Sequence, residues 1–305
     1  MSGRVAVLAM AYGTPATAAD VEPYYTHIRR GRPPSPAQLA ELRARYAAIG
    51  GSSPLQAIAR AQAAALEHEL GLPVELGYKH APPFIEDAVR RLTDGGVEHI
   101  VGVVLAPHFS QLSIGEYAQR LVAAAAAGPR PPEVSVVREW HLAPAYLAYL
   151  SRAVGDARAR LDPAVRAKAH VLFTAHSLPA RILDTADPYP AQLQETAAAV
   201  AELAGIGRWS TAWQSAGRTS EAWLGPDVLE ELARLAGERV RAVLICPAGF
   251  VSDHLEILYD LDIEARDRAV ELGIELRRTA LPNDAPELTE ALAGAVRASL
   301  QELVA

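Results

Sequence analysis

A single cysteine, Cys246, stands among 305 residues. An internal disulfide, a CxxC zinc module and a four-thiolate iron–sulfur cluster each need more than one, so all three are excluded. A lone thiol also fits a reducing, cytoplasmic setting. Long apolar runs are missing as well, and no stretch approaches the ~20 residues a membrane span requires. The opening MSGRVAVLAMAYGTP runs into a turn without a cleavage-site pattern, so it reads as a first strand rather than a signal peptide. Positive charge is not in excess: 29 basic residues face 36 acidic ones, for a net charge of -7, which argues against a nucleic-acid partner. Lysine itself is scarce. Only Lys79 and Lys168 occur, and the remaining cations are arginines, whose planar forks suit carboxylate or phosphate. Nor does the chain contain GxGxxG, GxxxxGK[ST] or GxSxG, which removes the usual dinucleotide, Walker-type and acyl-hydrolase readings.

What is present is apolar material spread along the whole length: half of the residues are hydrophobic, enough for two domains or one large one. Short apolar runs predict strands at Val5–Ala9, Val74–Gly77, His99–Leu105, Val134–Val137, Val171–Thr174, Ser210–Trp213 and Ala242–Cys246. Amphipathic stretches between them predict helices at Ser35–Ile49, Pro54–Glu69, Pro83–Thr93, Gly115–Ala126, Ala145–Leu161, Ala191–Ala204, Pro226–Leu235, Asp253–Leu272 and Ala285–Val304. Alternation of this kind implies an α/β fold with mostly parallel sheet covered on both faces. Three ordered internal matches suggest two similar halves. VLAMAYGTP at Val7–Pro15 resembles VLFTAHSLP at Val171–Pro179, and aligns Tyr12 with His176. Segments starting at Val104 and Leu244 form a second pair, and those at Gly77 and Ala212 a weaker third. Chance similarity between α/β segments is the plain alternative. The matches divide the chain into an N-terminal half, 1–130, a C-terminal half, 131–284, and a last helix, 285–305, expected to pack back on the first half.

Open α/β sheets bind ligands beyond the carboxyl ends of their strands. Tyr12, His80, His108, His176, Trp213 and Phe250 all fall there. His176 can take a proton near neutral pH or ligate a metal, though a buried structural histidine has the same sequence signature. In the helix predicted at Asp253–Leu272, Glu256, Asp260 and Glu264 recur at i, i+4 and i+8, with Asp253 one turn earlier. Like charges at that spacing cost stability. They form either a solvated face or a file of oxygen ligands leading a divalent cation inward to Glu256, beside His254. A histidine nitrogen with such acids suits a first-row cation that is bound transiently, which points to transport, sensing or insertion into another molecule. Arg29, Arg30 and Arg32 in YYTHIRRGR form either an anion-binding cluster or a solvated basic loop.

MAYGTP, YYTHIRRGR, RYAAIGGSSPL, PPFIEDAV, LAPHFS, TAHSLP, DPYP, WQSAGRT, WLGPDV and GFVSDHLEILYDLD together resemble the ferrochelatase family, in order and across nearly the whole chain. The subtype most resembled is the coproporphyrin III ferrochelatase of monoderm bacteria. The resemblance implies two Rossmann-like, chelatase-type halves around a porphyrin cleft. It also implies insertion of Fe²⁺ into coproporphyrin III to give coproheme in heme biosynthesis, with Fe²⁺ as substrate and no tightly bound cofactor. By the same resemblance, His176 accepts the pyrrole protons and Glu256 is its partner at the metal, with Tyr12 as axial ligand on the opposite face. Asp260 and Glu264 form an outer relay suited to a hydrated Mg²⁺ or another divalent cation. Porphyrin contacts fall on Tyr12, Thr14, Arg29, Arg30, Arg45, Tyr46, Ser53, Tyr117 and Trp213, and a downstream coproheme decarboxylase is an implied transient partner. Ala216 stands where the family usually has glutamate, and Tyr78 where leucine is common. Two other readings stay open: a cobalt or nickel chelatase for another tetrapyrrole, whose relatives often use two histidines where this chain has Glu256, and a non-catalytic porphyrin or heme carrier.

Overall fold

Every residue of VAVLAMA after Val5 is buried, as a central strand covered on both faces must be. That run is β1 (Val5–Ala11) of a computed structural model that describes residues 4–302. With β2 (Val74–Tyr78), β3 (His99–Val104) and β4 (Glu133–Val137) it forms a parallel sheet in the order β2-β1-β3-β4. A second parallel sheet holds β5 (His170–His176), β6 (Trp209–Gln214), β7 (Ala242–Cys246) and β8 (Glu275–Arg278) in the order β6-β5-β7-β8. The two orders are the same after a shift of four strands. All three internal matches therefore join strands at equivalent places: β1 with β5, β2 with β6 and β3 with β7.

Helices α1 (Val21–Ile28), α2 (Pro36–Ala48), α3 (Leu55–Leu70), α4 (Ile85–Asp94) and α5 (Ile114–Ala126) accompany the first sheet. Then come α6 (Pro144–Ala159), the short α7 (Pro163–Arg166), α8 (Tyr189–Leu203), α9 (Val228–Gly237), α10 (Arg266–Leu272) and α11 (Pro286–Glu302). The start of α2 is fixed by sequence. Ser35 Oγ accepts from the Gln38 amide while the Gln38 side chain accepts from that of Ser35, and Pro36 takes the first helical position. Among the described residues no helix is long and apolar enough to cross a membrane.

Four expectations change. Hydrogen bonding puts β4 in the first sheet, on the other side of the expected division at 130/131. Strand β8 went unread because its four residues, Glu-Leu-Arg-Arg, are three-quarters charged and sit at a sheet edge. The segment YYTHIRRGR is partly helical, its first half closing α1. Most consequentially, the stretch read as one α-helix from Asp253 is a π-helix over Ile257–Ala265 before it tightens into α10. Residues 303 and 304 of the expected last helix lie outside the described residues.

The largest buried cluster is shared. Val7, Val101 and Val103 of the first sheet join Phe173, Leu244 and Cys246 of the second through Tyr146, Leu150 and Val154 of α6 and Leu292 and Val296 of α11. Each sheet's other face has its own cluster, under α4 and α5 in the first half and under α9, the π-helix and α10 in the second. Close approach is demanded at Gly249, just beyond β7. A Cβ there would lie 2.5 Å from that of Ala175 and 2.8 Å from its Cα, one residue before His176, and the Gly249 amide donates to Thr174 O at 2.9 Å. Gly249→Ala is expected to cost about 1–3 kcal/mol, as overpacking against backbone does. Urea unfolding should show a lower midpoint at unchanged m-value.

Candidate functional site

The carboxyl ends of the parallel strands from both halves bring the chemistry together. His176 closes β5, Tyr12 follows β1 at the equivalent place, and Glu256 caps the π-helix that follows β7. His176 Nε2 lies 3.5 Å from Glu256 Oε1, and His254 Nε2 lies 3.6 Å from the other oxygen, so one carboxylate stands between two imidazoles. The His176 and Glu256 side chains are about one-third exposed, 33% and 35%, and Tyr12 is 41% exposed. All three are thus partly open to solvent. The other nitrogen of His176 pairs with Ser177 O, Tyr189 donates its hydroxyl to His176 O at 3.0 Å, and Trp213 stacks on Tyr189.

The two imidazoles titrate in opposite directions. Burial would push His176 down, but the Glu256 charge and hydrogen bond outweigh it and its pKa ends above the ordinary value. In His254 burial wins, Glu256 notwithstanding, and the pKa falls. Burial likewise works to raise Glu256, but the flanking imidazoles, with Arg45, hold it down at about 2. It is a carboxylate at any working pH. Tyr12 is raised well above the usual phenol range by burial and then by the Glu256 and Glu116 charges, so the phenol of the first half feels the carboxylate of the second. Pairs of titratable groups pushed apart in this way mark acid–base sites.

Behind Glu256 the π-helix carries Asp260 and Glu264. Asp260 is raised to about 7, by burial first and by Glu256 next, against the hydrogen bond from Ser215 and the charge of Arg45. Arg45 lies 3.4 Å from Asp260 and 3.7 Å from Glu264. On the Tyr12 side a cavity of about 500 Å³ is lined by Tyr12, Arg30, Lys79, His80, Glu116 and Arg120 among others. Tyr12 and His80 rings are in contact, with centroids 4.6 Å apart, and His80 shares a 3.0 Å Nδ1–Nδ1 contact with His27.

The ferrochelatase family model matches residues 4–300. The chain belongs to the ferrochelatase family. It is 45% identical over 298 residues to the coproporphyrin III ferrochelatase of Anoxybacillus flavithermus, covering 95% of this chain and 94% of that one. Identity to the enzyme of the same name from Halalkalibacterium halodurans is 44% over 310 residues, covering 98% of each. A Herpetosiphon aurantiacus ferrochelatase is 41% identical, with 96% of this chain and 98% of that one covered. Among solved structures, SirB from Bacillus subtilis with Fe³⁺ aligns with a TM-score of 0.61 over 97% of this chain and 95% of that one. At 13% identity this likeness speaks for the chelatase fold alone.

Within that family frame, the expected ring-contact residues divide. Tyr12 and Arg30 line open space. Thr14, Tyr46, Tyr117 and Trp213 are buried, at 3–6% exposure. Thr14 and Tyr46 spend their hydroxyls on each other at 3.0 Å, and burial drives the Tyr46 phenol up to about 12. Ser53 Oγ accepts from the Leu55 amide at 3.3 Å, at the start of α3. Arg29 donates its Nε–H forward to Arg32 O and lies over Tyr25. Asp253 leaves the expected file altogether. It faces Asn283 and Arg278, tying the loop after β7 to the loop before α11. Ser215, Tyr189 and Lys79 carried no expected role. Their motifs, WQSAG, DPYP and GYKH, mark them in the sequence. What no sequence pattern conveys is that Ser215 takes a left-handed backbone, φ 60°, which turns it onto Asp260.

Proposed function

We propose that this chain inserts Fe²⁺ into coproporphyrin III and releases coproheme. The observation that supports this reading is the partly exposed His176–Glu256 pair, 3.5 Å apart, with Asp260 and Glu264 on the π-helix that Glu256 begins. The reaction exchanges two N–H protons of the macrocycle for one Fe²⁺, so it needs a proton acceptor and a path for a hydrated cation. His176 is the acceptor. Its raised pKa makes it a stronger base than a free imidazole and keeps the proton beside Glu256. Asp260, Glu264 and Glu256 replace the water around Fe²⁺ stepwise, which lowers the cost of stripping the ion. His176 takes the two protons in turn, passing the first to solvent before it accepts the second. As the ion reaches Glu256 it cancels the charge that raised His176, and the second proton is released to solvent as well. Tyr12 offers the ring an oxygen on its other face.

Specificity rests on charge. Coproporphyrin carries four propionates, and Arg29, Arg30 and Arg45 offer cations to meet them, whereas Lys79 and Arg120 near Tyr12 are already paired with Glu116 and Glu86. Each charge-assisted hydrogen bond is worth ~1.5–3 kcal/mol. A second divalent cation such as hydrated Mg²⁺ at Asp260 and Glu264, a cytoplasmic setting, and hand-over of the product to a coproheme decarboxylase all belong to the same reading. The test is anaerobic insertion with Fe²⁺, followed by loss of free-base fluorescence. Two missing propionates remove at least one such contact, so kcat/KM is expected to be at least about tenfold higher with coproporphyrin III than with the two-propionate protoporphyrin. Equal values for both rings would refute the tetracarboxylate specificity.

A further inference from the structure

Arg45 occupies the place a cation would be expected to take. It leaves α2 in the first half and reaches Asp260 and Glu264 on the π-helix of the second, at 3.4 and 3.7 Å, so a single guanidinium spans both outer carboxylates. The flat face of that guanidinium covers the Tyr259 ring at 4.7 Å, and Glu41, one turn back on α2, holds its remaining edge at 3.8 Å. Asp260 is only 11% exposed, so water screens the contact weakly. As they stand, the described residues contain no group of three or more His, Cys, Asp and Glu side chains arranged to hold a metal ion. The acids are already partly neutralised from within.

We propose that Arg45 is a built-in counter-ion that competes with the incoming divalent cation for Asp260 and Glu264, and that an anionic macrocycle relieves the competition by offering the guanidinium carboxylates of its own. The proposal rests on the iron-insertion reading and adds its control. Two cations cannot share one pair of carboxylates without mutual repulsion, so the outer acids bind a divalent ion weakly while Arg45 is seated. A ring bearing four propionates gives Arg45 an alternative, and cation affinity rises. By linkage the cation then strengthens ring binding by the same factor. The effect is to couple metal loading to the presence of an acceptor, so that an empty cleft does not hold iron.

The full-length chain is titrated with Mn²⁺, free ion being counted by electron paramagnetic resonance. Zinc coproporphyrin III serves as the occupant, because its centre is filled and the probe cannot be inserted. Wild-type Mn²⁺ affinity is expected to rise about tenfold when the ring is bound. Arg45→Met should bind Mn²⁺ about tenfold more tightly than wild type without any ring, and lose the coupling. Arg45→Lys, which keeps a charge and the helix surface, should fall between and covers the case in which the methionine variant fails to fold. An Asp260→Asn, Glu264→Gln double variant should bind no Mn²⁺ at these acids in either state, leaving the free-ion signal undiminished. Equal Mn²⁺ affinity in wild type and Arg45→Met without ring overturns the competition, and a wild-type affinity that ignores the ring overturns the coupling. Failure of zinc coproporphyrin to bind, seen by its own fluorescence, instead sinks the iron-insertion reading. The ring-free comparison of the Arg45 variants still decides the competition in that event.

Discussion

Glu256→Gln is expected to lower iron insertion about 10³-fold while ring binding stays within a few-fold of wild type. The substitution keeps shape and removes one charge, and three groups feel its loss. His176 loses the carboxylate 3.5 Å away that outweighs burial, so its pKa should drop below the ordinary imidazole value. A proton-detected NMR titration of the His176 ring reads that shift, and general-base catalysis loses the stronger acceptor. His254 loses the partner of its Nε2. The cation loses its innermost charged ligand, whose role a neutral amide fills poorly. A porphyrin carrier needs none of this. Turnover in Glu256→Gln equal to wild type would remove the carboxylate from the mechanism, and an unshifted His176 would show that the pair is not electrostatically coupled.

His176→Ala should be about as severe, on the order of 10³-fold in kcat, because it removes the proton acceptor without disturbing the acid file. The wild-type pH profile supplies the companion measurement. A base must be deprotonated to act, and the His176 pKa is raised, so the acidic limb of kcat/KM should lie above the pH at which a free imidazole titrates. In Glu256→Gln the same limb should move to lower pH, whatever activity remains. Substantial turnover in His176→Ala would transfer the base role elsewhere. His254, neutral through burial and on the same carboxylate, would be the first place to look.

Strand positions were legible because parallel strands buried on both faces are continuous apolar runs, and β1, β3 and β7 have little else in them. Equivalent places in the two sheets preserve sequence pattern, which is why the internal match aligns Tyr12 with His176. Charged or helical edges hid the rest. In β8 the apolar share is a single leucine, and in α1 a proline and two adjacent tyrosines obscure the period. The carboxylates Glu256, Asp260 and Glu264 stood out by spacing, yet the coil they ride on is a π-helix, and residue identity alone does not separate one helical pitch from another. Arg45 shows the limit most plainly. Its sequence motif associates it with the propionates of a ligand, whereas its partners here, 215 residues further along the chain for Asp260, are set by how the two halves meet.

The shared central layer governs how the cleft can open. After β4 the chain passes to α6, which lies on α8 and β7, and after β8 it returns through α11 to lie on α3, β3 and β4. Each half thus lends the other a wall of its interior, and Gln62 of α3 reaches across to Ser252 and to Asn283 O. Two crossings in opposite directions oppose a free hinge, since wide separation of the sheets would expose apolar surface on both at once. Admission of a large flat disc must then come from small sliding of packed helices and from local loosening at the rim, so the slot behaves as a rigid gauge for the thickness of what enters it.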